Sequence, residues 1–183
     1  MKLIDAVNQI LPILGEHPVN NLDIKHPTLA IILPAVKLKI TEVLSKGWWF
    51  NEYQYTLRPD SEGYIYMPVD TLSFIPDESG PVVRGRRLFN TKTNNYKFDS
   101  QVPGLLQVTM EFDDLPTTVG VFVFYTTLVH VYLTDIGLEN AVGEWKQMAD
   151  DAEAQATSEH LRNKRYSTKR SRRYANLRRH IRG

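Results

Sequence analysis

Ten of the 22 lysines and arginines stand in the last 24 residues, 160–183, with no carboxylate among them. They are Arg162, Lys164, Arg165, Lys169, Arg170, Arg172, Arg173, Arg178, Arg179 and Arg182, with Tyr166, Tyr174, Leu177 and Ile181 interspersed. Guanidinium forks bind carboxylate or phosphate in pairs of hydrogen bonds, so the run is suited to docking on an anionic surface. Tyr174, Leu177 and Ile181 recur at i, i+3 and i+7, an amphipathic stripe that fits a groove on a protein. Nucleic acid would use the arginines on phosphates and would gain from more stacking aromatics than two tyrosines. A solvated tail without a partner is the plain alternative. Ordering such an arm costs roughly 1–2 kcal/mol per residue in backbone entropy. Its few large apolar groups return only about 1.5–3 kcal/mol apiece when fully buried. The arm is therefore expected to order on a second molecule, with protein docking favoured over DNA.

A second basic cluster, Arg84-Gly85-Arg86-Arg87, reads as an exposed β-turn. The sharper reading of Arg84, Arg86 and Arg87 is contact with a partner, which the resemblance given below makes a ring neighbour or passing DNA in a lumen.

Catalytic patterns are poor. The five histidines, His17, His26, His130, His160 and His180, show no metal-ligand spacing such as His-x-x-x-His. The absence of cysteine excludes thiolate zinc sites, disulfides and thiol nucleophiles. No glycine loop for phosphate and no Gly-x-Ser-x-Gly elbow occurs. Asp113-Asp114 reads as a helix cap, and Asp150-Asp151 with Glu153 as a solvated helix face. A glycosidase needs only two carboxylates, which folding alone could bring together. The expectation is a protein that is not an enzyme and takes no cofactor or metal.

Charge divides the chain into two parts. Residues 1–159 hold 12 Lys/Arg and 21 Asp/Glu, 12 − 21 = −9, whereas residues 160–183 carry +10; the net charge of +1 conceals this. Segregation of this kind points to a partner rather than to a fold. The chain divides into a body, 1–160, and a basic arm, 161–183. Residues 115–134 form an uncharged run near the ~20 residues that span a bilayer. Pro116, Gly120, His130 and five threonines make it a buried helix rather than a membrane span.

Within the body, helices are expected over 1–47 and 114–160, with a β-region over 48–112. Leu3, Val7, Ile10, Leu11 and Leu14 mark one helical face, ended near Pro12. A second helix is expected from Pro27 to Lys46, kinked or broken at Pro34, with Gly47 closing it. From Trp48 the pattern becomes aromatic and alternating. Trp48-Trp49-Phe50 is expected to anchor the helix–sheet core, and a strand to run from Trp48 to Leu57. Short strands are expected at 64–67, 71–75, 82–83, 87–90, 96–98 and 105–112, forming a small antiparallel meander. Asp114 before Leu115-Pro116 marks a helix start. The run Val119–Tyr125 has β propensity, but Val119, Phe122, Val123, Thr126 and Val129 keep a helical face, and helix is preferred. A last helix is expected over 139–162. The fold class is α+β: a helical bundle with an inserted antiparallel sheet and an extended or helical basic C-terminal arm.

Five motifs follow one another along the chain: Leu14-Gly15-Glu16-His17-Pro18-Val19; Ser45-Lys46-Gly47-Trp48-Trp49-Phe50-Asn51; Leu57-x-Pro59-Asp60-x-x-Gly63-Tyr64-Ile65 with Met67-Pro68; Val83 to Asn90 with Phe98; and Phe112-Asp113-Asp114-Leu115-Pro116. In this order, over about residues 7–135, they resemble the tail tubular protein A family of short-tailed bacteriophages, the head-to-tail adaptor or gatekeeper. The resemblance implies a ring, a dodecamer, between the portal protein and the tubular nozzle of the virion tail, assembled in the host cytoplasm and traversed by double-stranded DNA on ejection. The family pattern has a second glycine where Arg86 stands, and a less apolar helix after the Leu-Pro element. The arm lies outside the region of resemblance.

Overall fold

The computed structural model describes residues 1–137 and 140–164. Helix α1, Leu3–Ile10, passes at Pro12 into a 3₁₀ turn, Leu11–Leu14, that ends at Gly15. Proline stops the α-ladder because it has no N–H to give it. Helix α2, Leu29–Leu44, runs on through Pro34 without breaking; it matches the apolar positions and is shorter at both ends than the expected Pro27 to Lys46. Five strands follow: β1 Glu52–Leu57, β2 Thr71–Pro76, β3 Pro81–Arg84, β4 Arg87–Asn90 and β5 Val102–Val108. Helices α3, Thr117–Asp135, and α4, Asn140–Asn163, complete the described residues. The architecture is α+β, with four helices, a three-stranded antiparallel sheet and a hairpin.

The sheet order corrects the expected meander. β5 lies in the middle, between β1 and β2, and β3–β4 stands apart as a hairpin. Val102 and Leu106 of this central strand are buried, and Leu105 is partly so. Segments 64–67 and 96–98 make only isolated bridges, Tyr64 to Lys97 and Tyr66 to Arg87, instead of strands. Trp48–Phe50 forms a turn, and β1 begins only at Glu52.

Buried side chains fall into two clusters. The larger draws on α1, α2, α3, α4, Trp48 and Phe112; the smaller gathers Leu57, Ile65, Met67, Phe74, Leu88, Phe98, Val102 and Leu106. Helix α3 is long and apolar enough to cross a membrane by length and composition. Its position accounts for that composition: it packs against both α2 and α4, with Val119, Val123, Leu128 and Val131 fully buried. A helix apolar nearly all round belongs in such a core, and packing there overrides the β propensity of Val119–Tyr125.

Asp114 does not cap α3, which starts at Thr117 behind Pro116 with no side-chain cap, and neither does Asp113. The Asp113 carboxylate instead accepts the Leu3 N–H at 2.6 Å, and Asp5 accepts that of Lys2. Both acids therefore sit at the N-terminus of α1, where free N–H groups and the helix dipole favour negative charge.

Candidate assembly interface at the root of the arm

Sequence places the strongest chemistry after residue 160, so the described point that leads into that run matters most. That point is the last turn of α4, and it rests on the junction between helices and sheet. Gly47 ends α2 with φ 74°, a left-handed conformation that glycine adopts without strain. A Cβ there would collide with the Glu52 carboxylate and the Gln107 amide. The tight exit turns Trp48 inward, where its Nε1–H donates to the Val43 carbonyl at 2.7 Å. Asn51 is wholly buried and brackets the junction. Its Oδ1 accepts the Trp48 N–H at 2.8 Å, and its Nδ2 donates to the carbonyls of Leu44 and Val108 at 3.0 and 2.9 Å. One amide thus joins the end of α2 to the central strand.

Helix α4 lies on this platform. The His160 ring meets Trp48 edge-on at 5.6 Å and Trp49 at 6.2 Å. Lys46 pairs with Glu153, and the Thr118 hydroxyl donates to Glu159. At the last described residue, Lys164 Nζ donates to Glu52 Oε1 at 2.6 Å. Glu52 also accepts from Gln107 Nε2 at 3.0 Å, and the Ser73 hydroxyl donates to Gln107 Oε1 at 2.7 Å. Lys164, Glu52, Gln107 and Ser73 therefore form one polar row across β1, β5 and β2.

Two groups in this site titrate abnormally. Burial alone would raise the Glu52 carboxyl, but hydrogen bonds from Lys164 and Gln107, with the charge of Lys164, outweigh it and hold it below the usual range. His160 is pushed below its ordinary value, first by burial and then by the Lys164 charge, with Glu52 opposing. A neutral imidazole on two indoles beside a Lys–Glu pair is a packing and anchoring device. Nothing in it activates a nucleophile.

Of the sequence-predicted arm residues, Arg162 lies exposed on the last turn of α4. Arg165, Tyr166, Lys169, Arg170, Arg172, Arg173, Tyr174, Leu177, Arg178, Arg179, Ile181 and Arg182 lie outside the described residues. Helix α4 continues to Asn163, beyond the expected body boundary at 160. Arg84, Arg86 and Arg87 are brought together, all exposed, at the β3–β4 turn. The sequence reading missed Asn51, Glu52, His160 and Lys164 as a unit. Glu52 and Lys164 are 112 residues apart, and no local pattern joins them. Among the described residues no cluster of three or more His, Asp or Glu could hold a metal ion.

The profile of the family described as tail tubular protein matches residues 4–168. Tail tubular protein A of Klebsiella phage KP34 is 30% identical over 174 residues, 94% of each chain. The match runs through all of α4 and past Lys164, so the shared region reaches further than residue 135 and includes the root of the arm. A family match over nearly the whole chain joins the anchoring site to the body that carries it, and the chain belongs to the tail tubular protein family, structural components of the phage virion tail that are not enzymes.

Proposed function

We propose that this tail protein is a head-to-tail adaptor subunit. Copies form a ring, a dodecamer, between the portal protein and the tubular nozzle, and double-stranded DNA passes through that ring during ejection. One observation carries most of this reading: the polar row ending at Lys164 holds the last described turn of α4 on the sheet, at the start of an acid-free run of cations. A flexible tether would deliver such a run anywhere, whereas a fixed root delivers it to one neighbour. The occupant of the arm is the portal or an adjoining subunit, met through Arg162, the later arginines and the Tyr174–Leu177–Ile181 stripe. The body carries −9, so a ring with part of that charge facing its lumen repels DNA and lets it slide. Mechanism here is geometry and electrostatics, and no bond is made or broken.

Deleting residues 165–183, which leaves Lys164 and its contacts in place, is expected to yield filled heads without tails. The truncated protein should keep the thermal unfolding transition of the body, because the deletion leaves the Lys164–Glu52 contact and the rest of the described contacts in place. Normal tail attachment by the truncated protein would refute the docking role. Electron micrographs of the purified protein, alone and with portal, test the ring and count its subunits.

The same acid-free run supports a second reading, nucleic-acid binding by the arm. It predicts duplex affinity falling steeply with salt, since up to about ten phosphates would be neutralised. A mobility-shift titration at two salt concentrations decides it, and absence of any shift at low salt discards it.

A further inference from the structure

The β3–β4 hairpin breaks a rule of sheet design. Its two-residue turn, Gly85-Arg86, has Gly85 at φ 61°, and its register sets Arg84 directly across from Arg87. Like charges in that position destabilise a strand pair. Both guanidiniums are held on aromatic rings. Arg84 lies 3.7 Å above Phe89, and Arg87 lies 4.7 Å from Tyr96 and 5.9 Å from Tyr64. Phe89 meets Tyr96 edge-on at 4.9 Å, and Lys97 stands 6.0 Å from Tyr64. Arg84, Phe89, Tyr96, Arg87, Tyr64 and Lys97 thus form one continuous row of rings and cations. Stacking fixes a guanidinium yet leaves its N–H fork free. Among the described residues Arg84, Arg86 and Arg87 form no ion pair.

Residues 81–98 hold five cations and no acid. The rest of the body, 1–80 and 99–159, holds 12 − 5 = 7 cations against all 21 acids, a net charge of −14. The hairpin is a basic island on an acidic body, with Val82 and Val83 beside it at 39% and 38% exposure.

We infer that this hairpin face is the basic half of a head-to-tail contact between two copies of the chain, its occupant the acidic surface of the next copy. The inference rests on the ring reading and assigns that ring one of its contact surfaces. Charge complementarity selects the occupant: the chain supplies both the unpaired forks and the excess of carboxylates they would meet. A contact between two unlike patches repeats from copy to copy and closes into a ring, which a self-complementary patch cannot do. DNA suits the face less well. Phe89 is buried, and both it and Tyr96 already carry a guanidinium, which leaves the exposed Tyr66, bridged to Arg87, as the ring of this group that a base could stack on. The surrounding acids also repel a long duplex. Half-exposed valines beside arginine and tyrosine match the composition of protein interfaces.

Velocity sedimentation of the full chain against Arg84→Glu/Arg87→Glu tests the contact. The double variant is expected to raise the concentration for half-assembly about tenfold or more, as loss of steered charge pairs does. Should circular dichroism show the hairpin disturbed, Arg86→Glu alone carries the test, since Arg86 has no ring contact to lose. Unchanged assembly of the variants beside an assembling wild type overturns the hairpin contact and leaves the ring standing. A wild type that assembles neither alone nor with portal overturns the ring reading, and this inference with it. The chain has no cysteine, so Arg86→Cys gives a single attachment point for a photoreactive maleimide. Cross-links in assembled tails should reach acid-rich peptides of a second copy. Cross-links confined to DNA or to another tail protein overturn the assignment.

Discussion

The two hydrophobic clusters differ in size and in what covers them. The helical cluster buries 23 residues drawn from all four helices, and the sheet cluster buries eight, almost all from strands and bridged turns. The sheet region also shows large apolar groups to solvent: Tyr53 and Tyr55 on β1, Tyr66, Ile75, Val82 and Val83. A core of eight residues cannot stabilise a module that also leaves so much apolar surface uncovered without help. That help comes from the junction, where Asn51, Trp48 and the Lys164 row fasten sheet to helices. The helical part exposes large apolar groups too, Ile31, Leu38 and Met148 among them, so the difference between the parts is core size: the smaller core depends on the larger one through the junction.

The most forceful way to break this comparison is the same deletion in each core. Leu128 and Leu88 are both fully buried, one in α3 and one in β4. Leu128→Ala should cost about 2–5 kcal/mol and lower the melting temperature of the whole chain. Leu88→Ala removes the same atoms but should raise amide exchange mainly over residues 57–106, with α2 and α3 still protected. Equal loss of protection in α2 and α3 would mean that the two clusters unfold as one unit.

Asn51→Ala sharpens the comparison, because it cuts the link and spares both cores. It leaves the Trp48 N–H and the carbonyls of Leu44 and Val108 without their partner. Each buried group so orphaned costs about 1–3 kcal/mol unless water replaces the amide. The expected signature is a lower melting temperature with early loss of the sheet signal, read by amide exchange of β5. A variant as stable as wild type would show that the junction holds nothing.

What could be read from sequence was local. Pro12 and Gly15 punctuate the first helix, Gly47 the second, and Gly85 the hairpin, because those positions need special φ values or lack an N–H. The class of fold followed from the change of period at residue 48. Strand order did not follow, since β1 and β5 pair across some 50 residues and nothing in either strand names the other. Asp113 looked like the cap of the helix that follows it, yet it serves α1, 110 residues away. The arm was legible as charge, but its root was not. Lys164 is one more cation in a basic run until the fold sets Glu52 beneath it.

The smallest effect concerns that root and separates it from the rest of the helical core by pH. His160 has a folded pKa below its ordinary 6.5, so the unfolded chain binds more protons in the interval between the two values. Its contribution is complete above about pH 6.5 and is lost as pH falls through the folded value. Glu52 is likewise held below 4.5, and its contribution is present above that pH and lost as pH falls through its folded value. Acidification should therefore loosen the last turn of α4 in two stages, the histidine first and the carboxylate second. Each stage should amount to less than about 1 kcal/mol, because both groups keep contact with solvent. Amide exchange of residues 157–164 should accelerate as pH falls below 6.5, after correction for intrinsic rates, while α3 stays protected. His160→Phe should keep the packing on Trp48 and Trp49 and remove the first stage; Glu52→Gln should remove the second. A first stage that persists in His160→Phe would place the pH sensitivity elsewhere and detach the root of the arm from the histidine.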